Sequence, residues 1–322
     1  MRISIALTTF NGERFLKEQL DSLYAQTILP DEIVVCDDAS TDHTQTILEE
    51  YHKQHGLKYH INPKSLGVNN NFFKAISLCQ GDYILICDQD DIWLPNKVEV
   101  LYKTISSADD GTPIAVSSLR QDIDAQGRPI QPAQQKPYGE KWKDTLLSTS
   151  RSQGCTMIIN KNLAELSVKY YTEKHSQADK VMYDVLISVI AAIFGKKINL
   201  PDVLMQYRHH DSNVVDKLRD RNKTFWLKVR EMPSYYPFLL DYRIQELSLM
   251  NSLLDGEKYP DDIRVFMNKM WKLSNTHSMI KGLYIILSLP QIQTVRKMKI
   301  LMLTPIVKTL KWFDKHFIMK GE

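Results

Sequence analysis

Long apolar runs are missing from this chain, and so are the glycine signatures of several enzyme classes. No window holds the roughly 18 consecutive apolar residues that a membrane-spanning helix needs. The nearest candidate, Gly282 to Pro290, is about half that length. The apolar start, Met1 to Leu7, gives way at once to Thr8 and Thr9. It is too short for a secretory signal, so a cytoplasmic protein is expected. No GxxxxGK[ST] occurs, which argues against a P-loop ATPase. No GxGxxG follows the first apolar run and no GxSxG occurs, which argues against a dinucleotide-dependent oxidoreductase and a serine hydrolase. Cysteine is scarce: Cys36, Cys79, Cys87 and Cys155 show no CxxC spacing and read as free thiols, buried in a reducing compartment.

The composition is that of a folded globular protein, 43% hydrophobic and 25% charged over 322 residues, enough for one large domain or two ordinary ones. Net charge is only +3 but is unevenly placed. From Arg264 to Glu322 eleven Lys/Arg face two Asp/Glu, while the remainder is acidic. In the same stretch short apolar runs such as Leu283 to Leu287 and Ile300 to Leu303 alternate with Arg296, Lys297, Lys299, Lys308 and Lys311. Apolar faces flanked by basic residues suit peripheral contact with an anionic membrane. Helices packed on the rest of the chain are the plain alternative, and nothing in the other half asks for nucleic acid.

Strand and helix signals alternate through the first ninety residues. Ile3 to Thr8, Ile33 to Cys36, Lys58 to Ile61 and Tyr83 to Cys87 read as strands. Glu13 to Ala25, a segment opened by Ser40 or Asp42, and Asn70 to Cys79 read as helices. Gln153 to Asn160 reads as a further strand and Met182 to Phe194 as an almost wholly apolar helix. Continuous apolar strands between helices predict an α/β fold with a mostly parallel central sheet. Beyond Tyr207 the pattern becomes helical and basic. A boundary near residue 215 separates an α/β domain, 1–215, from a C-terminal helical region, 216–322.

In such a sheet ligands bind beyond the carboxyl ends of strands. The polar residues there are Thr9-Phe10-Asn11-Gly12, Asp37-Asp38 and Asp88-Gln89-Asp90-Asp91. Three carboxylates within four residues repel one another unless a hard cation such as Mg²⁺ or Mn²⁺ is bound. An acidic turn or helix start is the plain alternative for an isolated pair. Asp184, in an otherwise apolar helix, must face a cleft or cap the helix, because burying it unpaired is costly. In Tyr207-Arg208-His209-His210, adjacent histidines on an extended segment point to opposite faces, so one at most reaches a site. His210 is taken as a phosphate or metal contact, with a surface histidine as the alternative.

The ordered blocks Thr8 to Gly12, Val35-Cys36-Asp37-Asp38-Ala39-Ser40-Thr41-Asp42, Gly81-Asp82-Tyr83 and Asp88 to Asp91 resemble the large family 2 of inverting glycosyltransferases, which have a GT-A fold. Asp88 to Trp93 together with Tyr207 to His210 resembles its rhamnosyltransferase-like branch. The resemblance covers about the first 95 residues and implies roles at matching positions. Thr9, Asn11 and Glu13 would belong to the nucleotide site, and Asp38 would accept the N3–H of uracil or thymine. Asp88 would sit near the ribose, and Asp90 would hold Mn²⁺ or Mg²⁺ on the diphosphate. Asp91 would bind metal or cap the next helix. Gly154 would permit close approach of the sugar, and Arg208 would pair with the diphosphate or stand as an ordinary surface charge. Asp184 would be the general base that deprotonates an acceptor hydroxyl. Ala39 departs from the pattern, since the family often has glycine there. The implied donor is a dTDP or UDP sugar, with rhamnose as one candidate. The implied acceptor is a cell-surface polysaccharide or lipid-linked glycan. A non-catalytic nucleotide-sugar-binding or scaffold protein is the alternative. A nucleotidyltransferase would carry a Gly-rich basic loop after the first strand, which Thr9 to Glu13 is not.

Overall fold

The computed structural model describes residues 1–130, 152–173, 175–179, 181–211 and 261–275. The chain divides into two units, Met1–Leu218 and Arg219–Glu322. Of the second unit only one helix is described, Asp261–Asn275, with Asp261 and Asp262 in its first turn and Lys272 in its last. The expected helical region beyond 215 and the basic apolar runs after 282 lie otherwise outside the described residues. Among the described residues, no helix is long and apolar enough to cross a membrane.

The first unit opens with β1 (Ile3–Thr9), α1 (Leu16–Tyr24), β2 (Glu32–Asp37), α2 (Thr44–His55), β3 (Lys58–Ile61), α3 (Val68–Leu78) and β4 (Tyr83–Cys87). It continues through β5 (Ile92–Trp93), α4 (Lys97–Ala108) and β6 (Ile114–Ile123). Then come a 3₁₀ turn (Gly154–Thr156), β7 (Met157–Asn160), α5 (Lys161–Glu173), α6 (His175–Ala178), α7 (Tyr183–Phe194) and β8 (Lys196–Arg208). All eight strands form one sheet in the order β3-β2-β1-β4-β7-β6-β8-β5. The first four strands pair in parallel. β7 runs antiparallel to both β4 and β6, β8 is parallel to β6, and β5 is antiparallel to β8.

Local sequence explains the parallel half. Strands β1, β2 and β4 are buried on both faces, so they carry continuous apolar runs. In α1, Leu16, Leu20 and Leu23 fall on one stripe and are fully buried. In α4, Lys97, Leu101 and Ile105 lie four residues apart and are all buried, so a lysine heads an apolar stripe.

The segment 153–160 departs from expectation. Only Met157–Asn160 is strand, because the backbone turns first through Gly154–Thr156, where the Thr156 N–H and hydroxyl both donate to the Gln153 carbonyl. Cys36, Cys87 and Cys155 are buried free thiols, whereas Cys79 is only partly buried.

After β2 the chain reverses through Ala39, whose φ of 61° lies in the left-handed region. Asp37 holds this turn: its carboxylate accepts the Ser40 N–H at 2.9 Å, the Ser40 hydroxyl at 2.6 Å and the Thr9 hydroxyl at 2.7 Å. A left-handed L-residue costs about 1–2 kcal/mol, and glycine's extra unfolded freedom costs about 0.5–1 kcal/mol. Ala39→Gly is therefore expected to leave stability unchanged or raise it by up to about 1.5 kcal/mol. Ala39→Val, β-branched at the same φ, should lower it; urea unfolding of the three proteins checks the order.

Candidate functional site

The carboxyl ends of β1, β2 and β4 converge on a cavity of about 610 Å³. Thr9, Asn11, Asp38, Asp88, Asp90, Gly154, Asp184 and His210 all line it, although they come from six separate segments. Glu13, Asp91 and Arg208 do not.

The loop after β1 is stitched to the loop after β2. The Asn11 N–H donates to the Ser40 hydroxyl and its side-chain oxygen accepts the Thr41 N–H, at 2.8 and 2.9 Å. Asn11 itself has φ 48°, a conformation that asparagine tolerates. The exposed Glu13 serves the same seam: its carboxylate accepts the His43 N–H at 2.9 Å, at the start of α2. Glu13 is thus a structural residue rather than a cavity residue, a correction to the sequence reading. Thr9 is buried and gives its hydroxyl proton to Asp37.

Asp38 lines the cavity, but the chain already fills its lone pairs. Asn62 Nδ2 at 2.9 Å and the Leu66 N–H at 2.7 Å donate to Oδ1. The Ser65 hydroxyl at 2.7 Å and the Gly67 N–H at 3.0 Å donate to Oδ2. Burial alone would raise its pKa; the four donors outweigh burial and hold it below the ordinary carboxylate range. Reading an imide N–H with this carboxylate would require one of those donors to yield. Nothing in the sequence between 62 and 67 announced this cage, because half of its donors are backbone amides.

At the carboxyl end of β4 lies the acidic cluster. Burial, then the neighbouring charges of Asp90 and Asp184, raise the pKa of Asp88. Asp90 Oδ2 is 2.7 Å from His210 Nε2, whose ring rests against Phe15 at 4.8 Å between centroids. Asp91 is fully buried behind the cavity. Its Oδ1 accepts the Arg208 N–H at 3.1 Å, and burial raises its pKa strongly. Asp91 therefore anchors the end of β8 and does not face the cavity. Arg208 corrects the sequence reading too. It is 2% exposed, and its guanidinium donates to the Asp90 carbonyl at 2.9 Å and to Glu18 at 2.5 Å, above the Phe15 ring. It braces the acidic loop from behind.

The residue that sequence reasoning missed is Lys97. Fully buried, it donates to the Cys155 carbonyl at 2.5 Å and lies 3.6 Å from the Trp93 ring centroid. Burial lowers its pKa, while the thiols and carboxylates around it, Asp91 and Asp88 among them, act the other way. It is a buried amine beside the acidic cluster, whose charged form those carboxylates favour against burial. Its place at the head of the Leu101–Ile105 stripe was the available signal.

Asp184, which also lines the cavity, stands in the first turn of α7, with its Oδ1 accepting the Val185 N–H at 2.8 Å. The preceding Tyr183 stacks on Phe72 at 3.8 Å. A Cβ on Gly154 would lie 2.1 Å from the Tyr183 hydroxyl oxygen, so Gly154 makes room for that ring.

Two donor sets could receive a cation. Asp90 and His210 offer carboxylate and imidazole at the cavity, a set that suits Mn²⁺ and accepts Mg²⁺. Asp88, Asp91 and Cys155 cluster with ligand atoms within 4.8 Å of one another. That second set includes a thiol whose pKa burial raises far above the usual value, a poor ligand for a hard cation.

Residues 4–166 match the family model described as Glycosyl transferase family 2. An uncharacterized protein of Mycobacterium tuberculosis is 26% identical over 236 residues, which is 70% of this chain and 63% of that protein. The chain thus spans less than two thirds of that relative's length. The dTDP-rhamnosyl transferase RfbG of Shigella flexneri is 37% identical over 99 residues, 29% of this chain and 34% of that one. The mannosyltransferase PcManGT of Pyrobaculum calidifontis, in complex with GDP-Man and Mn²⁺, superposes with a TM-score of 0.53 at 15% identity. That match covers 99% of this chain and 84% of the other. The structural likeness carries the fold, which is of GT-A type.

The cage around Asp38 yields a test. An amide at this position cannot accept four hydrogen bonds, so Asp38→Asn should cost about 1–3 kcal/mol at pH 7. The folded pKa lies below the unfolded one, so the stabilisation from ionised Asp38 is present above the unfolded pKa and is lost as pH falls through the folded one. The gap between wild type and variant in urea unfolding should therefore be widest near neutrality and shrink on acidification below pH ~4.

Proposed function

We propose that this chain, which belongs to glycosyl transferase family 2, moves a sugar from a dTDP or UDP donor to a hydroxyl of a growing glycan, with inversion at the anomeric carbon. The observation that carries the proposal is the meeting within one cavity of Asp88, Asp90 and His210 with Asp184, which is near enough to Asp88 to raise its pKa. The first group suits a diphosphate and Asp184 a hydroxyl that must lose a proton.

In this reading the donor lies along the carboxyl ends of β1, β2 and β4, its base beside Asn11 and Asp38 and its ribose near Asp88. A divalent cation held by Asp90 and His210, Mn²⁺ or Mg²⁺, supplies positive charge beside the departing diphosphate. Asp184 accepts the acceptor's hydroxyl proton as that oxygen bonds to the anomeric carbon. The bond from that carbon to the diphosphate oxygen breaks, and its electron pair leaves with the diphosphate. Attack from the face opposite the leaving group gives inversion. The buried Lys97 and Arg208 keep the acidic loop in place and touch no substrate. The likeness to RfbG supports dTDP-rhamnose as the first donor to try; a lipid-linked or cell-surface glycan is the acceptor class we propose.

A donor panel tests the activity. With Mn²⁺ or Mg²⁺, one of dTDP-rhamnose, UDP-galactose, UDP-glucose and UDP-N-acetylglucosamine is expected to be hydrolysed or transferred, with release of its nucleotide. Chelator should stop this, and returned Mn²⁺ should restore it. Nucleotide binding without turnover of any donor would instead favour a non-catalytic binding role.

Asp184→Asn keeps shape and removes basicity. It should lower kcat by about 10²–10⁴ with donor affinity little changed. Retained turnover with weakened donor binding would move Asp184 into the donor pocket.

A further inference from the structure

Gln89, between the two cavity carboxylates, has no part in the chemistry above, yet its amide is committed. Its Oε1 accepts the Phe10 N–H at 2.8 Å, and its Nε2 donates to the Phe10 carbonyl at 3.1 Å. One planar amide thus satisfies both backbone groups of one residue across 79 positions of sequence. A carboxylate or a hydroxyl cannot make this pair in the same way, because it needs a donor and an acceptor side by side. Gly12 leaves the space: a Cβ there would lie 2.3 Å from Gln89 Oε1 and 2.7 Å from its Cδ. Phe10 is 51% exposed at the cavity, so packing does little to fix it. The far side of the same loop is already tied to the loop after β2, through Asn11 to Ser40 and Thr41 and through the Gly12 N–H to Thr44.

We propose that Gln89 is a positioning residue: a strap that fixes the spacing between the nucleoside side of the donor site, Phe10 and Asn11, and the phosphate side, Asp90. It lines the cavity, and its amide is engaged by the Phe10 backbone. This rests on the donor-site reading above. A nucleoside contacts one side only; a nucleoside diphosphate spans both and gains from their preset distance. Gln89 therefore contributes to the difference between the two ligands more than to either side alone.

The experiment measures calorimetric affinities of wild type, Gln89→Ala, Gly12→Ala and the double variant. The ligands are UDP and dTDP with Mn²⁺, and uridine and thymidine. Gln89→Ala should weaken nucleoside diphosphate binding about tenfold and nucleoside binding by less than about twofold, the scale of two modest hydrogen bonds. Gly12→Ala, which pushes the amide aside, should act in the same direction. The double variant should bind no worse than Gln89→Ala alone, because the group that Ala at position 12 displaces is then gone. Equal loss for nucleoside and nucleoside diphosphate, or additive losses in the double variant, would overturn the strap. Amide exchange over residues 10–12 in ligand-free protein decides it independently. Protection should fall in Gln89→Ala, and unchanged exchange would overturn the proposal. If wild type binds no nucleotide at all, the donor-site reading falls, and the exchange result still decides the strap.

Discussion

Concentrated negative charge under one cavity is the constraint around which the rest of the structure is arranged. Asp88, Asp90 and Asp91 follow a fully buried strand, and Asp184 is close enough to raise the pKa of Asp88. Carboxylates removed from water repel strongly unless cations and N–H groups meet them. The fold brings these from distant sequence: Lys97 from the head of α4, the Arg208 backbone and guanidinium from the end of β8, and the His210 ring just beyond. The path of β8 follows from this need. It runs parallel to β6 through two register shifts and ends where Asp90 and Asp91 require it.

The remaining carboxylates at the strand ends divide into two kinds. Asp37 and Asp38 are consumed by the chain's own donors, the first by the turn through Ala39 and the second by the cage from Asn62 to Gly67. Asp90 and Asp184 line the cavity, Asp90 with one oxygen on His210 Nε2 and Asp184 with one on the Val185 N–H. A carboxylate that must meet a ligand has to keep acceptor capacity, and this division separates the groups that hold the loops from those left for chemistry. It also explains why residues of one type in neighbouring positions serve different ends.

The parallel half of the fold was legible because a strand buried on both faces has no choice but a continuous apolar run, as in Ile33 to Cys36 and Tyr83 to Cys87. The start of α1 was read too early, since Gly12 to Phe15 form a turn before Leu16. β8 escaped notice because it carries Lys196, Lys197, Pro201 and Asp202 and shows no clean alternation. At the site, the residues of the cavity floor were visible as polar strand ends. Arg208 and Asp91 could be read only as charges, because sequence reveals charge but not direction: both are buried beside cavity residues and neither lines the cavity. The partners of Asp38 were invisible for another reason, since two of the four are peptide N–H groups that any sequence possesses.

The ion pair between Arg208 and Glu18 joins residues 190 positions apart. Asn69 likewise reaches across 112 positions to the Val181 carbonyl. Closures of that length are entropically late events, made only when the intervening sheet is already in place. Residues 4–166 taken alone hold an acidic loop that lacks its brace, its imidazole and the carboxylate of α7. The cavity matures only after residue 210 has left the ribosome, so a fragment ending near 166 would contain the family's sequence signature without a finished site.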